Sequence, residues 1–434
     1  MRAGARGTLG STPREVTALQ DGARPAPGAP AAGFAPAEFD PRARAFLDSP
    51  FAHYAALRAA GPVHWVGATG DWWAVRHQEV ARVLSDARFV KGPAQAPELP
   101  PAYRHLPPLQ PSMLLRDPPD HTRLRGLVSA AFVPRMVEGL APRIAALAAD
   151  LLRGLAGGGP FDLVASFALP LPATVIAELL GVPAEDRERF QAWSRRVVGL
   201  LDDTQPEEAR RAGQAAQLEL LDYLHGLVAR RRSGAAGGHG ADLIGALLAA
   251  EAEGDRLSPG ELLTMCALLL IAGHETTTNL ISVGMLRLLE DPGQLELLRR
   301  RPEVLPAAVE ELLRFVSPVH LDGRVAAEDV ELGGQRIEAG QWVITALASA
   351  NRDEAVFADP ERLDVTRERN PHLAFGRGIH FCLGAPLARL EARIAFAALL
   401  ERFPRLALDP DAPAVWKTNV VIRGLESLPL RAGR

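Results

Sequence analysis

The sequence predicts a mainly α-helical protein with a small β region. Three observations carry that expectation. Between residues 121 and about 310, apolar side chains recur at helical spacing with only short breaks. Strand-like alternation is confined to two places, near 63–75 and near 325–346. The composition, 47% hydrophobic and 23% charged over 434 residues, is that of a globular chain with a sizeable core. Length alone, at about 150 residues per domain, suggests about three domains.

Residues 1–37 are rich in Ala, Pro and Gly, including Ala23-Arg24-Pro25-Ala26-Pro27-Gly28-Ala29-Pro30, and read as a flexible tail. Order is expected to start near Phe39 and to continue to residue 434. Val63–Val66 and Trp72–Val75 flank Gly67-Ala-Thr-Gly70 and predict a hairpin, followed by a short helix from His77 to Leu84. Nine prolines between 91 and 119 forbid regular helix or central strand there. A long irregular stretch is either a lid or binding loop or a passive connection.

Helical patterns follow at Pro142–Leu155 and Ala173–Leu180, the second stopped by Gly181-Val-Pro183. Arg231 to Gly240 reads as a loop. Ser258-Pro259-Gly260-Glu261 is a capping-box pattern, with proline in the first turn. It opens the most apolar helix, Leu262–Leu289, whose first half is hydrophobic almost all round and should run through the protein centre. Val330–Ile337 resembles a hairpin around Gly333-Gly334.

Composition excludes several functions. The net charge of −4 gives no basic field for nucleic acid. Lys and Arg total 48, and only Lys91 and Lys417 are lysine, so 46 are arginine, largely a compositional bias alongside abundant Ala, Gly and Pro. Apolar runs stop short of the ~18 residues of a membrane span, so no membrane anchor is expected. No continuous apolar stretch marks a secretory signal, and a cytoplasmic location is expected. The two cysteines, Cys266 and Cys382, are too few and too far apart for a disulfide framework, a zinc site or a Cys₄ cluster.

Three segments carry chemistry. Ala272-Gly273-His274-Glu275-Thr276-Thr277-Thr278-Asn279 interrupts the central helical pattern. Glycine costs about 1 kcal/mol in mid-helix, and threonines bond back and bend helices. One use is a notch at Ala272 and Gly273 beside a hydroxyl and a carboxylate able to relay protons. The plain alternative is a helix whose C-terminal half emerges into solvent. Glu311-Leu-Leu-Arg314 places two opposite charges on one helical face, amid apolar neighbours. In Phe375-Gly376-Arg377-Gly378-Ile379-His380-Phe381-Cys382-Leu383-Gly384-Ala385, glycines permit close approach of a flat ligand. A helix start at the cysteine favours its thiolate.

Through these residues the chain resembles the cytochrome P-450 family, the soluble bacterial haem-thiolate monooxygenases. FGxGxHxCxGxxLA is matched from Phe375 to Ala388, AGxET at Ala272–Thr276, ExxR at Glu311–Arg314 and DPPxHTRxR at Asp117–Arg125. The resemblance covers the chain from about residue 39 onward and implies one large single-domain fold in place of three. It implies that Cys382 ligates haem iron. It implies that His121, Arg125, Arg324 and His380 hold the haem propionates, and that Ala272, Phe375, Gly376 and Gly384 also line the haem. Glu275 and Thr276 would be the catalytic acid–alcohol pair that delivers protons during dioxygen activation. His274 stands at the variable position, as a neutral occupant or a substrate-facing residue. Arg362, in Pro360-Glu-Arg-Leu363, would complete a structural triad with Glu311 and Arg314, although Leu363 departs from the usual phenylalanine.

The implied reaction is hydroxylation or epoxidation of a lipophilic molecule, of polyketide, terpenoid, steroid-like or fatty-acyl type. O₂ is co-substrate, and electrons come from NAD(P)H through a separate ferredoxin or flavodoxin and its reductase. Substrate contacts are expected at 91–116, 190–215, Leu269–Thr276, Val319–Asp322 and Val420–Ile422, with Tyr103, Arg104 and His105 as polar anchors. The alternatives are a peroxide-driven haem-thiolate hydroxylase, which usually replaces the acid–alcohol pair, and a non-catalytic haem-binding or partner protein, expected to lack the thiolate.

Overall fold

Ser258 sets the start of the helix around which the molecule is built. Its hydroxyl accepts from the Glu261 backbone amide at 3.2 Å, and the Glu261 carboxylate accepts from the Ser258 amide at 2.8 Å, so the expected capping box is present. The central helix then runs from Pro259 to Glu290. The computed structural model describes residues 36–92, 105–107, 109–155, 159–202, 204–233, 242–252 and 257–433. Most of the expected tail, Tyr103, Arg104 and Gly234–Gly240 of the expected 231–240 loop lie outside them.

Two expectations for the central helix need correction. It is one unbroken 32-residue helix, not a helix interrupted at Ala272–Asn279. Its C-terminal half does not emerge, since Thr277 to Leu286 are all buried. The reason is close packing on several sides. A Cβ at Gly273 would press on the Ile176 side chain of the helix Pro170–Leu180, so the missing side chain admits a neighbouring helix and not a ligand. Further along, the helices Leu305–Val316 and Ala385–Arg402 cover the other faces.

The hairpin near 63–75 forms as expected, Val63–Val66 against Asp71–Ala74. It is the edge of a five-stranded sheet whose spatial order continues Trp342–Ala346, Leu321–Ala326 and Phe89–Val90. The second expected hairpin pairs Val330–Leu332 with Gln335–Ile337. The helix His77–Ser85 matches its expected span. The helix Glu207–Arg232 continues through Arg231, which the sequence placed in a loop. Arg231 donates to the Gly181 carbonyl at 2.9 Å and pairs with Asp242, so a tertiary contact extends the last turn.

Glu311 and Arg314 are fully buried and form a two-pronged pair, with Nε and Nη2 donating to the carboxylate at 2.7 Å each. The sequence named Arg362 as third member, and the structure corrects this to Arg367. The Arg362 side chain is 62% exposed and, among the described residues, pairs with Asp364 at 3.6 Å. Arg367 Nε donates to Glu311 at 3.0 Å, joined by Asn370 Nδ2 at 3.1 Å and the Asp364 amide at 3.0 Å. Arg314 spends its remaining donors on the carbonyls of Asn351, Pro360 and Arg362.

Breaking such a buried cluster costs about 3–5 kcal/mol, so Arg367→Ala is expected to lower the urea midpoint sharply. Arg362→Ala should stay within about 0.5 kcal/mol of wild type. Equal losses in the two variants would contradict the assignment of Arg367.

Candidate functional site

The loop before the last long helix is shaped to present one sulfur. Gly376 and Gly378 have φ of 68° and 73°, conformations in which a side chain is strained. At Gly378 a Cβ would also overlap the Leu84 carbonyl oxygen. The loop turns through Gly378–His380, and the Cys382 amide donates back to the Phe375 carbonyl at 2.9 Å. The helix Ala385–Arg402 follows directly. Cys382 is exposed, while Cys266 is sealed in the core. Enough protein surrounds the Cys382 thiol that burial pushes its pKa up. The amides of Gly384 and Ala385 and the charges of Arg125 and Arg389 oppose this without overturning it. The helix start therefore assists the thiolate but does not secure it alone; a bound cation would.

Around this sulfur the structure gathers donors from three separate segments. His121 and Arg125 lie on the helix Asp120–Ser129, Arg324 on the strand Leu321–Ala326, and His380 in the cysteine loop. The His121 and His380 rings are 4.3 Å apart. His121 Nδ1 and His380 Nε2 are both buried without a hydrogen-bond partner. Burial and the nearby Arg324 and Lys91 charges hold His380 neutral, down to about 3. Arg125 donates to the Phe381 carbonyl at 2.7 Å, next to the cysteine. Orphaned polar atoms beside concentrated positive charge are what two buried carboxylates would satisfy. With an open sulfur nearby, the donor set fits a haem and its propionates.

Sequence reasoning missed two members of this cluster. Lys91 Nζ donates to Asp322 at 2.7 Å, and Asp322 also takes Arg324 Nη1 at 2.5 Å. The two cations hold the Asp322 carboxyl well below its usual range despite burial. Asp322, expected among substrate contacts, is thus committed to charge pairing. The isolated lysine carried no motif that could have flagged it.

On the central helix, Ala272 is exposed and Thr276 half-buried, four residues apart on one face, with Ile271 and Gly273 also only partly covered. The notch is therefore Ala272 with Thr276; Gly273 serves packing. The Thr276 hydroxyl makes only a long back-bond to the Ala272 carbonyl, 3.5 Å. Glu275 is 3% exposed and ion-paired with Lys417, and its Oε2 meets no protein donor. His274 is fully buried; Nδ1 bonds the Leu270 carbonyl at 2.9 Å and the ring packs near Phe190. Burial pushes its pKa down, so it is a neutral occupant facing the helix Arg187–Val198.

Three of the expected substrate segments meet. Val319 bridges Ile422, the His320 amide donates to the Val421 carbonyl at 2.8 Å, and Asp202 accepts the Val420 amide at 2.8 Å. His105 Nε2 pairs with Asp222 at 2.6 Å. Glu391, unnoticed in the sequence, sits 1% exposed on the cysteine helix, near the Thr277 hydroxyl of the central helix. Neither carboxyl oxygen has a well-formed hydrogen bond, and burial pushes its pKa up to about 8.

A mainly helical fold presenting one cysteine beneath a crevice of histidine and arginine donors defines a haem-thiolate protein. The family model for cytochrome P450 matches residues 74–415. Cytochrome P450 107B1 of Saccharopolyspora erythraea is 46% identical over 403 residues, covering 90% of this chain and 96% of the relative. Vitamin D(3) 25-hydroxylase of Pseudonocardia autotrophica is 44% identical, covering 89% and 95%. Among solved structures, P450BioI in complex with an acyl carrier protein ligated to hexadec-9Z-enoic acid superposes with a TM-score of 0.82. It is 38% identical, with 90% of this chain and 100% of that chain covered. The chain belongs to the cytochrome P450 family and is a haem-thiolate monooxygenase.

A carboxyl raised above its ordinary 4.5 binds its proton more tightly in the folded state. Its stabilising contribution is complete below about pH 4.5 and is lost as pH rises through about 8. Glu391→Gln cannot ionise, so it is expected to lose less stability than wild type between about pH 5 and about pH 9 in urea titrations. Parallel losses would show that Glu391 is not held neutral.

Proposed function

We propose that this monooxygenase oxidises a lipophilic small molecule of the polyketide, terpenoid, steroid-like or fatty-acyl type. In this reading, NAD(P)H electrons arrive one at a time through a separate ferredoxin or flavodoxin and its reductase. The observation that carries the haem-thiolate reading is the cysteine loop, where Cys382 is fixed by its own amide and exposed. When bound, haem supplies the redox-active iron at which dioxygen is activated.

This chain's residues have the remaining tasks. His121, Arg125, Arg324 and His380 would orient the propionates. The loop amides of Gly384 and Ala385 would donate toward the Cys382 sulfur and limit its basicity. Glu275 and Thr276 would move protons to the reacting face, the buried carboxylate feeding the half-exposed hydroxyl. Ala272 leaves room beside them. Val319, Val420, Val421 and Ile422 would offer apolar walls, consistent with a ligand held by burial and few polar contacts. A relative named for vitamin D3 and a neighbour bound to a hexadecenoyl carrier protein support a lipophilic substrate. No described helix is long and apolar enough to cross a membrane.

Electron entry would use the face behind the cysteine helix. A surface cleft of about 260 Å³ there is lined in part by Pro386, Arg389 and Arg393 of that helix. Met136, at 58% exposure, and Val133 lie on the adjoining chain. Glu138 and Glu310 share that lining and Arg389 pairs with Glu310 at 2.7 Å, so an electron carrier would meet exposed apolar side chains around a charge-balanced cleft.

Thr276→Ala is expected to raise peroxide release and lower product formed per NAD(P)H by about tenfold, while haem binding persists. Unchanged coupling in that variant would remove Thr276 from proton handling.

A further inference from the structure

Against 46 arginines, both lysines of this chain are drawn inward onto carboxylates of the site: Lys91 onto Asp322 and Lys417 onto Glu275. Lys417 begins the turn between the strands Val415–Trp416 and Leu425–Ser427. Its amide donates to the Gly424 carbonyl at 3.0 Å and closes the 417–424 loop. A Cβ at Gly424 would overlap the Asn279 side chain, so glycine lets this loop lie on the central helix. From there Lys417 Nζ reaches Glu275 Oε1, with Asn279 Oδ1 at 3.4 Å. Both partners are enclosed, the side chains 14% and 3% exposed. A compact ammonium pins a single oxygen, where a guanidinium would span both.

The same loop is held by the substrate-side segments. Val420 donates its amide to Asp202, Gln205 Nε2 donates to the Thr418 carbonyl at 3.0 Å, and Val421 accepts from His320. Asp202 and Gln205 lie in the connection between the helices Arg187–Val198 and Glu207–Arg232. The loop therefore touches the segments expected to hold substrate and the acid at once.

We propose that Lys417 is the positioning residue for Glu275: it holds Oε1, leaves Oε2 for proton exchange, and takes its own placement from the 417–424 loop. This rests on the proton-handling role of Glu275 proposed above. Lysine in place of a forked arginine keeps one carboxylate oxygen unengaged, as a group that must both take and give a proton requires.

The chain's two lysines make a direct test. The holoenzyme is acylated with an N-hydroxysuccinimide ester, and the rate at each lysine is read by mass spectrometry. Lys417 is expected to react about tenfold faster in Glu275→Gln, where its charge partner is gone, with Lys91 unchanged. It should also react several-fold faster in Asp202→Ala, where the loop loses an anchor. Equal Lys417 rates in wild type and Glu275→Gln would overturn the pairing; equal rates in Asp202→Ala would overturn the loop's part in placing it. For function, hydrogen peroxide-driven oxidation of guaiacol is followed across pH. Lys417→Met is expected to fall to the Glu275→Gln level, about tenfold below wild type, with Lys417→Arg intermediate and the reduced carbon monoxide spectrum unaltered in all. A wild-type profile in Lys417→Met beside a depressed Glu275→Gln would refute the positioning role and leave the proton reading standing. A wild-type profile in Glu275→Gln would remove the proton reading, and this inference with it.

Discussion

The buried carboxylate of Glu311 is the constraint from which the site's geometry descends. It is 0% exposed, and its two oxygens accept from Arg314, Arg367, Asn370 and the Asp364 amide. An unpaired charge there would be prohibitive, so the segment from Asn351 to Asn370 must return to this point. Arg314 fixes the start of that segment through the Asn351 carbonyl, and the Asn351 side chain then accepts the Leu373 amide at 2.6 Å. Leu373 binds the Gly376 amide, and Phe375 binds the Cys382 amide. One ionic cluster thus leads, bond by bond, to the position of the sulfur.

The crevice follows the opposite logic. Where the Glu311 cluster is saturated, the site keeps polar atoms unsatisfied: His121 Nδ1, His380 Nε2 and Glu275 Oε2 are buried without a hydrogen-bond partner. Folding alone does not reward such atoms, each of which costs about 1–3 kcal/mol. They make sense beside a ligand that brings carboxylates and a reaction that moves protons. The central helix serves both regimes. One face is packed closely enough to need glycine at Gly273, and the other is left open at Ala272 and Thr276.

Much of this was legible in the sequence because the signals are local. The capping box at Ser258, the hairpin at 63–75, the Glu311–Arg314 spacing and the glycine-flanked Cys382 are short patterns with direct structural meanings. What was misread depends on contacts between distant residues. Arg367 and Arg362 are both arginines in an irregular segment, and only the tertiary path shows which one turns inward. Gly273 looked like a ligand notch because Ile176, nearly a hundred positions away, gives no sign of its approach. The unbroken central helix reflects packing that outweighs the modest helical cost of glycine and threonine. Lys417 and Glu275 are 142 positions apart, and Glu391 acquires its meaning only from the helix laid against it.

The central claim is that Cys382 binds haem iron as a thiolate. The most direct measurement is the absorption spectrum of the purified, folded holoprotein, reduced and exposed to carbon monoxide. Thiolate ligation by Cys382 predicts a strongly red-shifted Soret band. A Soret band at the position given by nitrogen ligation, in folded protein with Cys382 intact, would contradict it.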